Sequence, residues 1–487
     1  MTAQSFVAGT GETDLSGVGV WVRADVVSEL NGSWYGMSSG TNATPMLQSM
    51  AKTAGIEGYG VYFPAGNFIL SGSSATFLAD NSTNGNVKYI KGTGKLGTIF
   101  NVDITTLNGG GIIAIGSINA LASGYDAFHI SGIKLRGTGT RETNSIYTGT
   151  GLYVQNMNGF VLEDINTENF SIGLILQNSL YGLAIACRFR AAKQSVIMRR
   201  NGLTTGVNSM EFLRCDFHDN AIHCVYASES HAVKFNNCTF EGNGGKLDNN
   251  GVTPIVGVAC VQTDMVGGAG GVGAVFDTCY FEANSIMDIV HVVNANRSQS
   301  LVILNSIFNK LQSGVSAPRV QVKCTLTEMS STNKMVLSMS GNKILAGITD
   351  SYPDVEIVMG AVVGTNMFEF LDYDNTYAST SAIPVAKDLL VVWKKAADDG
   401  VICRGISAGG FTAAQSRNVI SCTRQNPGIY RIITNQLTSK LTFQVQLDNA
   451  GFSTVSTAEN NGAFTLNTYN SAGALADVGF RVLAKTV

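Results

Sequence analysis

Charged residues are scarce in this chain. Only 14% of its 487 residues are Asp, Glu, Lys or Arg, where globular proteins average about 25%. The 32 basic and 35 acidic residues give a net charge of −3, which argues against nucleic-acid binding because that function needs a basic surface. Proline is also rare, with seven residues, so proline-rich linkers are excluded.

Long apolar runs and export signals are missing as well. No window approaches the roughly 18 uninterrupted apolar residues of a membrane span. The N-terminal sequence MTAQSFVAGTGETDLSG has neither the basic nor the apolar region of a signal peptide, so neither membrane insertion nor Sec export is predicted. The nine cysteines form no CxxC pair and no Cys/His cluster, so we expect reduced thiols, no metal site and no cofactor.

What the chain does contain is an internal repeat with the pattern apolar-x-apolar-x-x-Cys-x-Phe. Five segments align on it without gaps, namely Phe160–Thr167, Met210–Phe217, Val233–Phe240, Ala274–Phe281 and Leu301–Phe308. A weaker copy ends in Cys187 and Phe189, and successive Cys positions lie 22, 28, 23, 41 and 27 residues apart. Such a period is typical of a solenoid in which each copy is one unit.

Each copy predicts two short strands, because apolar and polar residues alternate with the period of a β-strand. Asn220, Asn243 and Asn284 stand at the third position after the Phe, where we expect them to adopt the left-handed backbone of a sharp corner. A third strand should follow the corner, as in Ile222–Tyr226. Three strands per repeat form one coil of a parallel β-helix, so the fold class is predicted to be all-β.

Stacking the coils about 4.8 Å apart places equivalent positions in columns. The apolar columns are predicted to contain Cys187, Cys215, Cys238 and Cys279 in one case and Phe189, Phe217, Phe240 and Phe281 in the other. An interior column is poor in water, which raises the pKa of a thiol. These cysteines are therefore predicted to be packing groups rather than catalytic residues or metal ligands.

The N-terminal part carries a family resemblance. Thr44 and Pro45, followed by MLQSMAKTA and Gly55, predict a helix over 44–54 with Thr as its N-cap. This helix leads into VYFPAGNF, and the combination resembles the opening motif of the pectate-lyase-like right-handed parallel β-helix superfamily, whose members include bacteriophage tailspike depolymerases. The resemblance implies a right-handed β-helix over residues 41–375, with the helix capping the unpaired edge of its first coil.

The C-terminal part has a different sequence pattern. Longer alternating strands begin with GIYRIITNQ, and the stretch from Phe464 to Asp477 resembles the C-terminal β-sandwich of phage tail fibres and tailspikes. We therefore expect an antiparallel β-sandwich over 376–487 that trimerises the chain or binds glycan, and a neck or attachment stub over 1–40. The resemblance further implies a homotrimer in the virion tail, bound to other tail proteins and extracellular when it acts.

Candidate functional residues follow from the outward positions of the repeat. Between Cys and Phe lie Asn166, Arg188, Asp216, Thr239, Tyr280 and Ile307, and directly after the Phe lie Glu168, Arg190, His218, Glu241, Glu282 and Asn309. One face of the solenoid should thus carry carboxylates, arginines, a histidine and a tyrosine on adjacent coils. Polar residues of this kind also serve the solubility of a solvated face.

Hydrolysis of a glycosidic bond needs two carboxyl groups, about 5 Å apart for retention and about 6.5–9.5 Å apart for inversion. Asp216 and Glu241 are one coil and two residues apart, which corresponds to about 8 Å, and they form the preferred catalytic pair. Glu282, about 5 Å from Glu241 if their coils are adjacent, is the alternate. Substrate binding is predicted for Arg188, Arg190, His218, Asp219, Tyr280 and Glu168.

These residues, together with the resemblance, lead to three hypotheses. The first is a tailspike enzyme that binds and hydrolyses a bacterial surface polysaccharide, either a capsule or a lipopolysaccharide O-chain. The second is a polysaccharide lyase, which is disfavoured because the sequence shows no clear Asp cluster for calcium. The third is a spike that binds glycan without cleaving it. Fold alone does not separate them, since one fold hosts many functions.

Overall fold

The protein consists of two compact units, residues 1–335, 342–364 and 376–388 in the first, and residues 336–341, 365–375 and 389–487 in the second. The computed structural model describes residues 4–7, 20–23, 28–71, 77–79, 87–103, 111–116, 128–138, 149–200, 206–244, 259–266, 271–284, 287–294, 299–309, 320–328, 334–345, 354–359, 368–377, 385–387, 391–395, 401–405, 419–427, 429–434, 441–447, 451–459, 463–477 and 480–486. No helix in this part of the chain is long and apolar enough to cross a bilayer.

The first unit is a right-handed parallel β-helix with three sheets, as predicted. Its first sheet contains Glu29–Asn31, Gly60–Tyr62, Tyr89–Lys91, Phe128–Ser131, Asn158–Glu163, Leu180–Ile185, Glu211–Leu213, Val233–Asn236, Gly271–Asp277 and Gln299–Leu304. The second sheet contains Gly66–Ser71, Thr98–Asp103, Lys134–Arg136, Asn166–Glu168, Arg188–Arg190, Asp216–His218, Thr239–Glu241, Tyr280–Glu282, Ile307–Asn309 and Lys343–Leu345. The third sheet contains Phe77–Ala79, Gly111–Gly116, Thr150–Gln155, Ile172–Gln177, Gln194–Arg199, Val225–Ser228, Ala259–Val266, Met287–Asn294, Val322–Glu328, Val355–Met359 and Val385–Lys387.

The interior contains the predicted columns. The phenylalanines of the second sheet stack with centroids 5.3 Å apart for Phe189 and Phe217, 4.9 Å for Phe217 and Phe240, and 4.6 Å for Phe240 and Phe281. The cysteine column Cys187, Cys215, Cys238 and Cys279 is at most 2% exposed. These thiols are free, and their burial between stacked coils agrees with the predicted packing role.

The predicted helix spans Thr44–Glu57, three residues longer than its sequence pattern indicated. Gly58, with φ of 67°, ends it in place of Gly55, because only a residue that tolerates the left-handed region can close the last turn there. Thr44 is the first helical residue and not the N-cap. Its hydroxyl instead donates to the carbonyl of Ser71 in the second sheet (3.0 Å), which ties the helix to the first coils.

The corner between the second and third sheets differs from the prediction. Asn220, Asn243 and Asn284 do not adopt the left-handed backbone; the residue before each of them does, with φ of 62° at Asp219, 63° at Gly242 and 52° at Ala283. The asparagines point inward and form a ladder. The third strand of this coil is Val225–Ser228, which begins three residues later than expected.

The asparagine ladder joins successive coils through side-chain amides. Asn220 Nδ2 donates to Asn243 Oδ1 (2.8 Å), and Asn243 Nδ2 donates to Asn284 Oδ1 (3.0 Å) and to the carbonyl of Phe217 (2.9 Å). Asn243 is 1% exposed, so water cannot replace these bonds. Buried amides that bridge adjacent coils fix the position of each corner.

Replacing Asn243 by alanine is expected to lower the free energy of unfolding by about 1–3 kcal/mol, because it leaves buried donors and acceptors without partners. Urea denaturation followed by tryptophan fluorescence would measure the change. Lys234→Ala, at a half-exposed ion pair with Glu211, is the control and should change the value by less than about 0.5 kcal/mol. Equal effects of the two substitutions would contradict a stabilising ladder.

A second buried polar residue, His291, lies inside the third sheet. It pairs in register with Thr263 and Cys324 on the neighbouring strands, and its Nδ1 is hydrogen-bonded to the Thr263 hydroxyl. Its Nε2 has no partner among the described residues. Burial lowers the pKa of His291 to about 4, so the imidazole is neutral in the folded protein near pH 7.

The free energy of unfolding should therefore fall as the pH falls from about 6.5 to about 4, since the unfolded chain binds a proton at His291 that the folded chain excludes. The full loss corresponds to roughly 3 kcal/mol. Urea unfolding of wild type and His291→Leu at several pH values would measure it. The variant should lose less stability across this window, and parallel curves for the two proteins would contradict the assignment to His291.

The second unit contains an antiparallel β-sandwich. One sheet has the strand order Val401–Gly405, Phe480–Thr486, Leu441–Leu447, and the other has Val419–Asn426, Ile429–Thr434, Ala463–Asn470, Gly451–Glu459. Tyr430 and Phe464 from one sheet pack with Phe480 and Val482 from the other. The unit also contains most of Met335–Ser340 and the parallel pair Phe368–Tyr373 and Val391–Lys395.

The stretch from Phe464 to Asp477 begins in the strand Ala463–Asn470, and its end folds back onto the same four-stranded sheet. Asp477 accepts hydrogen bonds from Arg424 Nε (2.8 Å) and from the Tyr430 hydroxyl (3.2 Å). At the other end of the chain, Gln4–Val7 and Val20–Arg23 form an antiparallel pair, and residues 1–3, 8–19 and 24–27 of the expected neck lie outside the described residues. The boundaries at residues 40 and 375 stay predictions.

Candidate functional site

The outer face of the second sheet brings the candidate residues together in two columns. Strand pairing places Arg188 beside Asp216, Asp216 beside Thr239, and Thr239 beside Tyr280. In the parallel column, the pairing order is Glu168, Arg190, His218, Glu241, Glu282 and Asn309. The register is therefore as predicted. Glu241 and Glu282 lie directly beside each other on adjacent strands, despite the 41-residue spacing between their coils.

One part of this face, the cationic zone, consists of Lys134, Arg136, Arg188 and Arg190. Three of its side chains surround Glu168: Lys134 Nζ lies 2.7 Å and Arg136 Nε 2.5 Å from Oε1, and Arg190 Nε lies 3.1 Å from Oε2. The Glu168 side chain is only 5% exposed. It points outward as predicted, but it does not lie on an open surface.

The surroundings of Glu168 shift its pKa. Burial alone raises the pKa of this carboxyl, but the hydrogen bonds and charges of Lys134 and Arg136 outweigh burial and hold it below its ordinary value. Burial also lowers the pKa of Lys134, although Glu168 opposes this effect. An ionised carboxylate is thus enclosed by positive charge, which is the arrangement that makes its burial tolerable.

Asp216 and Asp219 bracket His218 at the next coil. Arg188 Nε donates to Asp216 Oδ2 (2.9 Å), and His218 Nε2 lies 3.6 Å from the same oxygen. His218 Nδ1 lies 3.1 Å from Asp219 Oδ2. The side chains of His218 and Asp216 are 21% and 30% exposed, so an imidazole and a carboxylate are both held in place and accessible.

The following coils contain the other two predicted carboxylates. Both oxygens of Glu282 accept hydrogen bonds, Oε2 from the Tyr280 hydroxyl (2.9 Å) and Oε1 from Asn309 Nδ2 (3.1 Å). Glu241, by contrast, is exposed. Asp216, Asp219, Glu241 and Glu282 together form the acidic zone, which lies beside the cationic zone on the same face.

Tyr280 has a perturbed hydroxyl. The hydrogen bond from Asn309 lowers its pKa, but partial burial and the hydrogen bond to Glu282 act in the opposite direction. Together with the nearby charge of Glu241, they leave the pKa of Tyr280 above its ordinary value of 10. The hydroxyl is therefore a poor proton acceptor near neutral pH.

Lys134 and Arg136 were not predicted, because the repeat was followed only from Phe160 onward. Phe128–Arg136 aligns with Phe160–Glu168, and Leu135 pairs with Thr167. The signal was present in the alternation FHISGIKLR. No group of three or more His, Cys, Asp or Glu side chains suited to a metal occurs within the described ranges.

The comparisons with known proteins agree with the fold. A family model for the right handed beta helix region matches residues 85–266, and no curated protein sequence matches the chain. The chain is similar to PfbA, a surface adhesin of Streptococcus pneumoniae, with 12% identity and a TM-score of 0.51 over 84% of this chain and 99% of that one.

Two further solved structures are similar. The Agl-KA catalytic domain has 11% identity and a TM-score of 0.51, with 77% of this chain and 70% of that one covered. A tailspike of Acinetobacter phage vb_AbaP_AS12 has 13% identity and a TM-score of 0.47, with 94% and 82% covered. At such identities the likeness of PfbA and of the Agl-KA catalytic domain shows the fold alone. By family match and sheet topology, the chain is a right-handed parallel β-helix protein with a C-terminal β-sandwich.

Proposed function

We propose that the outer face of the second sheet binds a bacterial surface polysaccharide, either a capsule or a lipopolysaccharide O-chain, and hydrolyses it. The observation that carries this proposal is the placement of Asp216 and Glu241 on adjacent strands, two residues apart along the strand. That placement corresponds to about 8 Å between their backbones. It suits inverting hydrolysis, in which a water molecule fits between the two carboxyl groups.

In this reaction Glu241 donates a proton to the glycosidic oxygen as the bond to the anomeric carbon breaks. Asp216, oriented by Arg188 at 2.9 Å, removes a proton from the water molecule that attacks that carbon. Hydrolysis by this route uses only the two carboxyl groups and water. Glu282 is the less favoured partner of Glu241, because both of its oxygens already accept hydrogen bonds.

The lyase alternative is less well supported. β-Elimination needs a group that removes a proton from carbon, and the candidates on this face are Tyr280, His218 and the two arginines. The raised pKa of Tyr280 opposes its use as a base, and an arginine guanidinium does not lose its proton in proteins. His218 is the remaining candidate base on this face, with Asp216 and Asp219 beside its two ring nitrogens.

The biological setting proposed for this activity is a phage tail. The resemblance of VYFPAGNF and of the C-terminal stretch to tailspikes supports a homotrimer that joins other virion tail proteins and acts outside the cell. In this arrangement residues 1–40 form the neck, 41–375 the glycan-binding β-helix and 376–487 the trimerising or glycan-binding sandwich. Analytical ultracentrifugation of the full chain would test the trimer.

The function is tested by incubating the full chain with a panel of bacterial capsular and O-chain polysaccharides. We expect new reducing ends without the ultraviolet absorbance of an unsaturated uronate. Reducing ends with that absorbance would identify a lyase. Binding without any product would favour a non-catalytic spike; PfbA, which is similar in fold, is itself a surface adhesin.

A further inference from the structure

We propose that the cationic zone is a subsite for a carboxylated sugar, so that the polymer bound by this face is an acidic polysaccharide containing uronic acid. This inference rests on the proposed function and names its substrate class. It comes from the charge distribution on the face of the second sheet, and in particular from Lys134 and Arg136.

The cationic zone has more positive charge than the carboxylates paired with it balance. Lys134, Arg136 and Arg190 share the single carboxylate of Glu168, and Arg188 is paired with Asp216. These four cations and two anions leave a local excess of two positive charges. The protein as a whole has a net charge of −3, so the excess is specific to this part of the face. A second anion at this place would lower the repulsion among the cations.

The arginines of the zone can reach such an anion. The side chains of Arg136 and Arg190 are 42% and 38% exposed, whereas Glu168 beneath them is buried. Among the described residues, Glu168 is the ion-pair partner of Arg190, through Nε at 3.1 Å. The terminal nitrogens of a guanidinium suit the two oxygens of a carboxylate. Glu168 is thus a positioning residue, which orients the arginines that contact the substrate.

The order of the zones along the sheet determines where the charged sugar would lie. Arg190 is one strand and Arg136 three strands from Asp216, or about 5 and 14 Å along the helix axis. The carboxylates of the acidic zone, Asp216, Asp219 and Glu282, repel a further carboxylate. A polymer therefore places its uronic acid over the cationic zone and a neutral sugar at the catalytic pair.

The test measures the affinity of the full chain, carrying Glu241→Gln to prevent cleavage, for the polymer that the wild type cuts. We expect reduction of the carboxyl groups of that polymer to alcohols to weaken binding about tenfold or more, since a hydrogen bond to a charged group is worth about 1.5–3 kcal/mol. Arg190→Gln and Arg136→Gln should weaken binding of the native polymer similarly and leave binding of the reduced polymer unchanged.

Arg200→Gln is the matched control, because Arg200 belongs to a separate ion pair with Glu229; it should change neither affinity. Equal binding of native and reduced polymer would overturn the inference while leaving the hydrolase intact. Loss of binding only after removal of phosphate groups from the polymer would also overturn it, since the anion would be a phosphate. Arginine-dependent binding of a uronic-acid polymer that the wild type never cuts would support the subsite and contradict the proposed function.

Discussion

Replacing Glu241 by glutamine is expected to lower the rate of polysaccharide cleavage about 10²–10⁴-fold, the usual contribution of a general acid. Glutamine keeps the size and hydrogen-bonding capacity of the side chain but cannot donate the proton. Because Glu241 is exposed, its replacement should leave the fold unchanged. Reducing-end assays give the rate, and a binding assay on the same polymer should give an affinity close to that of the wild type.

Asp216→Asn should have a comparable effect on the rate, and Glu211→Gln serves as the control. Glu211 is a half-exposed carboxylate of the first sheet, paired with Lys234, and it lies outside the proposed site. Full activity of the Glu241 variant would contradict the assignment of the acid. Loss of activity in Glu282→Gln but not in Asp216→Asn, with retention of anomeric configuration in the product, would identify Glu241 and Glu282 as the pair.

Replacing Phe240 by alanine is expected to lower the free energy of unfolding by about 3–5 kcal/mol. Its ring is fully buried and stacks on Phe217 at 4.9 Å and on Phe281 at 4.6 Å. It also meets the edge of Phe235 at 5.6 Å. Removing the ring leaves a cavity in the middle of the phenylalanine column. The neighbouring coils cannot move in to close this cavity, because each is held by stacking on the coil beyond it.

Urea denaturation would measure this loss as a lower midpoint with an unchanged slope. Phe240→Leu, which conserves most of the volume, should cost less than about 1.5 kcal/mol. If Phe240→Ala lowered the free energy of unfolding no more than Phe240→Leu, the cavity explanation would be contradicted. Phe240 is the middle residue of the strand Thr239–Glu241, and its side chain faces the core while that of Glu241 faces outward.

The coil pattern could be predicted because a strand alternates its side chains with a period of two. Once Phe217 and Phe240 are recognised as equivalent, Asp216 and His218 must face outward together, and so must Thr239 and Glu241. The same logic extends upstream to Lys134 and Arg136, where leucine replaces phenylalanine. They were not predicted because the repeat was followed only from Phe160, one coil downstream of theirs.

The corners could not be predicted to the residue. Asparagine at the third position after the phenylalanine suggested a left-handed backbone at Asn220, but Asp219 takes that conformation. Asparagine is favoured both in left-handed turns and as a buried amide that bonds to its neighbours. The sequence pattern is the same for both roles. Only the stacking of the coils shows that the amides of Asn220 and Asn243 are within hydrogen-bonding distance.

The sequence alone determined the solenoid class, the register of its coils and the identity of the side chains that share a face, because periodicity in a strand is a local property. The tertiary structure decided which of those side chains are accessible. In the sequence, Glu168 resembles the other solvated carboxylates of the face. In the structure it is buried between cations of the neighbouring coils, Arg136 32 residues before it and Arg190 22 residues after it. Ion pairs between coils form only once the coils stack, so their charge balance is a property of the fold.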